Sequence, residues 1–238
     1  MATHRIEFFA VSALLLFLQS PLASSQEVEQ RFAIDGCEFA DHEDEFSYER
    51  GSEIGPNHWG EIHEEWAACG HGRLQSPIDL TDSRLQWEED AGNLQIDGKD
   101  YDLKQLHWHS PSEHTINGRR FSLELHMVHQ SADNSTAVVG ILYTIGRHDP
   151  FLSNIERQIQ MIADKHEAEE AVGMVDPRHI RRGSRKYYRY MGSLTTPPCT
   201  EGVVWSIVKK VRTVTREQVD LLRQAVHDVS NTRNNSFC

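Results

Sequence analysis

The chain has 238 residues, 38% hydrophobic and 25% charged, a globular composition long enough to bury a sizeable core. Its formal net charge of −12 argues against nucleic acid or an anionic membrane surface as a partner, since phosphate would have to be met by a local basic patch. The one short basic run, Arg181, Arg182, Arg185 and Lys186, is too small to supply that patch.

In chain order, Arg5, the apolar run Phe8–Leu18 and the small residues Ala23, Ser24 and Ser25 read as a signal peptide over residues 1–25. That run is too short to cross a bilayer and no other stretch approaches the length, so no stable membrane span is expected. An acidic leader follows over residues 26–45. The acidity continues to residue 65, with thirteen Asp and Glu against Arg31 and Arg50 across residues 26–65. It reads as a solvated segment rather than a cation site. Residues 46–238 then read as one domain, without internal repeats.

A signal peptide places the chain in an oxidising compartment, so Cys37, Cys69, Cys199 and Cys238 are expected to form one or two disulfides. Spacing alone leaves three pairings open if all four are joined. The same compartment gives meaning to the glycosylation sequons at Asn134 and Asn234, the first being the better placed, in the polar turn SADNST.

Leu103–His109 and Phe121–His129 flank the turn dipeptide Asn117-Gly118 and predict an antiparallel pair, either a hairpin or a longer β-loop-β unit. Thr136–Ile145 and Val203–Val214 are β-branched and short enough for strands. Phe151–His166 carries Phe151, Leu152, Ile155, Ile159 and Ile162 on one helical stripe. Thr215–Asp228 opens with Thr215 and Gln218 at capping-box spacing and buries Val219, Leu222 and Val226. The class is mainly β with a few peripheral helices.

Fourteen histidines need a geometric reason before any is singled out. His107 and His109 stand two apart on a predicted strand, so both side chains share one face. On the returning strand, Ser122, Glu124, His126 and Val128 form one face and Phe121, Leu123, Leu125, Met127 and His129 the other, core face. Three imidazoles from adjacent strands leave a fourth tetrahedral position open, the layout of a catalytic zinc site rather than a structural one. Gln105 beside His107 and Glu124 beside His126 are candidates to hold the second ring nitrogens. A lone H-x-H is more often a pair of surface histidines; the third histidine and the polar neighbours lift this one above that. His107, His109 and Glu113 also match a cupin's H-x-H-x-x-x-E spacing, but Tyr101 stands where that motif has glycine.

Five ordered motifs carry a resemblance: Tyr48…Gly55-Pro56…Trp59, Gln75-Ser76-Pro77-Ile78, QLHWHSPSEH, ELHMVH, and Ser193-Leu194-Thr195-Thr196-Pro197-Pro198. From about Phe46 to about Val229 the chain resembles an α-type carbonic anhydrase, most like plant secretory-pathway members. The resemblance implies a large twisted, mostly antiparallel sheet with peripheral helices. It implies zinc on His107, His109 and His126, and reversible hydration of CO2 to bicarbonate and a proton by attack of zinc-bound hydroxide. Thr195 and Glu113 would be the catalytic hydroxyl–carboxylate pair that aims the attacking oxygen, and Thr196 a bicarbonate contact. Val128, Val138, Leu194, Val203 and Trp205 would wall the CO2 pocket, and Cys69 would pair with Cys199. Plant relatives of this kind are secreted or reach the chloroplast stroma by the secretory route.

The chain departs from that family in two places. Asp82-Ser83-Arg84 runs almost directly into Leu85-Gln86-Trp87, without the family's connection bearing a strand and a proton-shuttle histidine. After Asn231-Thr232-Arg233 the C-terminal segment does not follow the family pattern. The chain is therefore expected to lack one strand and the C-terminal segment, to be slowed by the missing shuttle, or, as the alternative, to be a catalytically impaired binding or storage protein. Nothing in the sequence sets an oligomeric state.

Overall fold

Period-two alternation of apolar residues settles most of the architecture, because each central strand buries both of its faces. The computed structural model describes residues 5–9, 13–17, 45–81, 85–87, 94–163, 170–171, 180 and 186–225. Cys37, Cys238, Asn234 and nearly all of the acidic leader lie outside the described residues. The chain opens with β1 (Arg5–Phe9) and β2 (Ala13–Phe17), followed by two single-turn helices, α1 (Trp59–Ile62) and α2 (Ala68–His71). Short strands follow at β3 (Asp79–Leu80), β4 (Leu85–Trp87) and β5 (Leu94–Ile96). The long strands are β6 (Lys99–His109), β9 (Leu123–Gln130) and β10 (Thr136–Ile145), with the small ribbon β7 (Thr115–Ile116) and β8 (Arg119–Arg120) between the first two. Helix α3 (Pro150–Ala163), β11 (Glu170–Ala171), β12 (Lys186–Ser193), β13 (Glu201–Val208), β14 (Arg212–Val214) and α4 (Arg216–Ala225) complete the order.

The main sheet runs β11-β1-β2-β6-β9-β10-β13-β12-β4. Its pairs are mostly antiparallel, but β13 and β14 both run parallel to β10. The run Val203–Val214, expected as one strand, is thus two. Lys209 and Lys210 interrupt the apolar pattern, and the chain returns to β10 further along it. Asn117 and Gly118 adopt φ of 50° and 74°, the left-handed pair of a tight hairpin, but they close only the β7–β8 ribbon. The expected β-loop-β unit therefore takes its longer form, with that ribbon inside the loop between β6 and β9. Residues 5–9 and 13–17, assigned from the sequence to a signal peptide, contribute an antiparallel pair whose second strand meets the outer edge of β6 at Leu16↔Leu106 and Phe17↔Gln105. An unpaired strand edge is a ready acceptor for such a segment.

Two apolar layers sandwich the sheet. One gathers Trp108, Leu123, Leu125, Val139, Ile141 and Tyr143 under α3 and α4. The other holds Leu80, Val138, Leu142, Val203, Trp205 and Ile207 on the opposite face. The helices dock by the predicted stripes, through Phe151, Leu152, Ile155 and Ile159 from α3 and Val219 and Leu222 from α4.

The capping box at α4 is present: the Gln218 backbone N–H donates to Thr215 Oγ1 at 3.3 Å and the Thr215 N–H to Gln218 Oε1 at 3.2 Å. Buried Asp149 joins the two helices. Its Oδ1 accepts from the N–H groups of Phe151 and Leu152, its backbone exchanges hydrogen bonds with the Gln218 amide, and its Oδ2 lies 2.6 Å from Arg212. Asp149→Ala removes a helix cap and strands the Arg212 charge. It should cost roughly 3 kcal/mol of stability, read as a shift of the urea midpoint without a change of slope.

Candidate metal centre

The β6–β9 register places His107 directly opposite His126, with His109 opposite Glu124. Trp108, between the two histidines, turns to the other face and stacks on Phe151, as the period of two requires. His107, His109 and His126 converge, each offering one nitrogen within 4.8 Å of the others. His126 Nδ1 and His107 Nε2 approach to 3.1 Å. His109 and His126 are buried, and His107 is partly exposed at the open side of the cluster.

Burial, reinforced by mutual repulsion, holds His107 and His109 well below the usual imidazole range, and it also lowers His126, against the pull of the Glu124 charge. Neutral imidazole is the ligating form. The tautomers agree. Glu124 Oε1 accepts from His126 Nε2 at 2.9 Å, so the lone pair on Nδ1 faces the cluster. His109 Nε2 is buried without a hydrogen-bond partner, a cost that a cation among the rings removes. The donor set therefore fits a zinc ion with one position left open.

Glu124 is fully buried. Burial alone would raise its carboxyl, but the charges and hydrogen bonds of His114 and His126 hold it well below the usual range. Its Oε2 accepts two backbone N–H groups, those of Glu113 and His114, each at 2.9 Å. Glu113 lies beside the cluster, with Oε1 3.5 Å from His109 Nδ1. Burial and the Glu124 charge push its carboxyl up to about 8, against the lowering effect of its hydrogen bond with Thr195 and the Arg120 charge. The expected hydroxyl–carboxylate pair is thus assembled. Thr196 sits next in the loop, its carbonyl accepting from the Cys199 N–H at 2.8 Å. The Cys69–Cys199 disulfide, with Cα atoms 5.1 Å apart, ties α2 to that loop.

Val138, Val203 and Trp205 are buried in one apolar cluster, with Val128 and Leu194 packed against it, so all five expected pocket residues meet. Asn134 is exposed in its turn, with φ of 62°. His129 turns away from the imidazole cluster, as expected, and bonds the Met127 carbonyl. One expectation is corrected: His107 Nδ1 has no hydrogen-bond partner, so Gln105 does not hold it. Irregular pairing between Leu103 and Gln105 disturbs the strand just there.

Sequence reasoning missed His114, Tyr190 and Ser76. His114 donates through Nδ1 to Glu124 at 2.7 Å and meets the Tyr190 hydroxyl through Nε2 at 2.7 Å, and that hydroxyl lies 2.8 Å from Ser76 Oγ. No periodicity links these residues; only the unexplained histidine at the end of SPSEH could have drawn attention. Gly140, opposite His126, was also missed: a Cβ there would collide with Ile207 and lie 3.2 Å from Glu124 Oε1.

Fold and donor set define the class, a β-sheet protein with a three-nitrogen centre able to hold a metal ion. The family model for eukaryotic-type carbonic anhydrases matches residues 94–237. Alpha carbonic anhydrase 7 of Arabidopsis thaliana is 52% identical over 219 residues, covering 80% of each chain. Alpha carbonic anhydrase 4 of the same plant is 42% identical over 256 residues, covering 96% of this chain and 91% of that protein. That span exceeds the 238 residues present here, so the relative carries residues without a counterpart in this chain. The structure of dioscorin complexed with ascorbate aligns with a TM-score of 0.71 at 42% identity, covering 76% of this chain and 88% of that one. The chain belongs to the eukaryotic-type carbonic anhydrase family, and the cupin alternative falls with that assignment.

Elemental analysis of dialysed protein should return one zinc per chain. His109→Ala and His126→Ala should reduce it to background, while His129→Ala, altering a ring that faces away, should retain it.

Proposed function

We propose that this chain binds zinc on His107, His109 and His126 and catalyses the reversible hydration of CO2 to bicarbonate and a proton. The observation that carries this reading is the neutral three-imidazole cluster beside the Thr195–Glu113 pair. A zinc ion there supplies Lewis acidity that brings the ionisation of water into the neutral range, an effect for which carbonic anhydrases are the usual example. The Thr195 hydroxyl donates to an ionised Glu113, leaving its own oxygen to accept a hydrogen bond from the attacking oxygen and fix its direction. Cationic charge at the imidazoles opposes the upward push on the Glu113 carboxyl and favours the ionised form this task requires. Thr196 is the proposed bicarbonate contact, as the family resemblance implies. CO2 carries no charge to grip, and the wall of Val128, Val138, Leu194, Val203 and Trp205 offers it an apolar surface.

Regenerating the nucleophile requires a proton to leave at each turnover. The shortened connection between Thr81 and Leu94 contains no histidine to relay it. Solution buffer then becomes the proton acceptor, and turnover is limited by its concentration. Entry to the secretory pathway through residues 1–25, glycosylation at Asn134, and a destination outside the cell or in the chloroplast stroma belong to the same proposal. Among the described residues no helix is long and apolar enough to cross a membrane.

Stopped-flow measurement should show CO2 hydration that a chelator abolishes. Thr195→Ala should reduce kcat/KM on the order of 100-fold with zinc retained. Imidazole added at constant pH should raise kcat in proportion to its concentration before saturating, whereas a kcat indifferent to buffer would show that another group carries the proton. The second reading, a catalytically impaired binding or storage protein, is favoured by the likeness to dioscorin. Background rates from folded, zinc-loaded protein would decide for it.

A further inference from the structure

Glu124 does not end at the metal ligand. An ionised carboxylate only accepts, so both His126 Nε2 and His114 Nδ1 donate to its Oε1, at 2.9 and 2.7 Å. That fixes His114 Nε2 as the acceptor for the Tyr190 hydroxyl proton, at 2.7 Å. The Tyr190 oxygen must then accept from the Ser76 hydroxyl at 2.8 Å, and Ser76 Oγ accepts the Ser193 backbone N–H at 3.1 Å. Every donor in the chain is thereby assigned a direction. Donation runs from Ser193, two residues before Thr195, to Glu124, where it meets the N–H of His126. The other oxygen of Glu124 holds the backbone of Glu113, the partner of Thr195.

We infer that Tyr190 and His114 are positioning residues, which hold Glu124 in the one orientation that sets the His126 tautomer and the Glu113 backbone together. The inference rests on the zinc site proposed above. The backbone makes room for the chain: a Cβ at Gly192 would collide with Ser76 Oγ and meet the rings of Tyr190 and Trp205. The Tyr190 ring stacks on Trp205 with an interplanar angle of 9°, so removal of its hydroxyl leaves the packing in place. Without that hydroxyl, His114 Nε2 has no donor, and the ring is no longer confined to the tautomer that donates to Glu124.

The test compares zinc-loaded wild type with Tyr190→Phe in two measurements. In zinc transfer to a chromogenic chelator, Tyr190→Phe should release the ion about 10-fold faster, the lower end of the effect of losing a group that orients a ligand. Nitrogen-15 spectra of the histidine rings should show a single His114 tautomer, protonated at Nδ1, in wild type and a mixture in the variant. Leaving a buried ring nitrogen without its donor should also lower the thermal midpoint modestly, and release is compared at a temperature well below it. His114→Asn, whose amide N–H can stand in for Nδ1–H, should release zinc more slowly than His114→Ala. If His114→Ala fails to fold, Tyr190→Phe alone decides. Unchanged release together with an unchanged His114 tautomer overturns the inference. A wild-type protein that takes up no zinc instead overturns the proposed function, and the tautomer comparison then still tests the relay.

Discussion

A carboxylate with no exposed surface sits at the centre of this sheet, and burying such a charge is tolerable only if every lone pair has a donor. Glu124 meets that condition with four N–H groups: two from imidazole rings on Oε1 and two from the backbone on Oε2. The requirement reaches outward. The loop after β6 must fold back so that Glu113 and His114 present their N–H groups, and that fold carries the Glu113 side chain beside Thr195. Across the pair β9–β10, a Cβ at Gly140 would collide with the Ile207 side chain and crowd the carboxylate at 3.2 Å. The ring of His126 and the carboxylate of Glu113 are therefore placed by one buried anion.

The surrounding packing explains how such polarity survives inside a sheet. On the helix side, Trp108, Leu123, Leu125 and Met127 are sealed under α3 and α4. On the other side, the polar alternate residues of β9 are roofed by Val138, Val203 and Trp205 rather than by water. Trp205 lies 4.8 Å from the rings of both His114 and His126 and donates its indole N–H to the Ser193 carbonyl. A low local dielectric strengthens each of these hydrogen bonds and makes leaving any one unmade more costly. The disulfide between Cys69 and Cys199 closes a long chain loop onto the same region, which limits the freedom of the Thr195 segment.

What was legible in the sequence follows from how local each signal is. The H-x-H pair and the opposing Glu124/His126 face needed only a period of two. The Asn117-Gly118 turn and the Thr215/Gln218 cap needed only neighbours within four residues. Val203–Val214 misled because β-branched composition does not register where a strand stops, and two lysines were read through. His114, Tyr190 and Ser76 are separated by 76 and 114 residues, so nothing local marks their contact. Gln105 failed for the opposite reason: its spacing was right, but irregular pairing beside it cancelled what an ideal strand would have delivered. The apolar run at the start of the chain carries two local meanings, leader and strand, and composition alone does not choose between them.

The same distinction bears on how the site withstands a shortened chain. All three imidazoles stand on β6 and β9, and β9 is flanked on its far side by β10, then β13 and β12, an unbroken series of paired strands. Of residues 82–93, where the sequence departs from the family, the described ones form β4, which pairs β12 at the far end of that series. The other pairings of β6 are short, two residues of β2 against Gln105 and Leu106 and three of β5 against Lys99, Asp100 and Tyr101, whereas toward β9 the pairing runs from Asp102 to His109. The strand that carries His107 and His109 is thus held chiefly by the partner that also supplies His126. Changes at the outer edge act first on solvent exposure and aggregation of β6 and only then on the convergence of the rings. A departure at residues 82–93 borders β12, three strands away from β9, and leaves the three imidazoles in register.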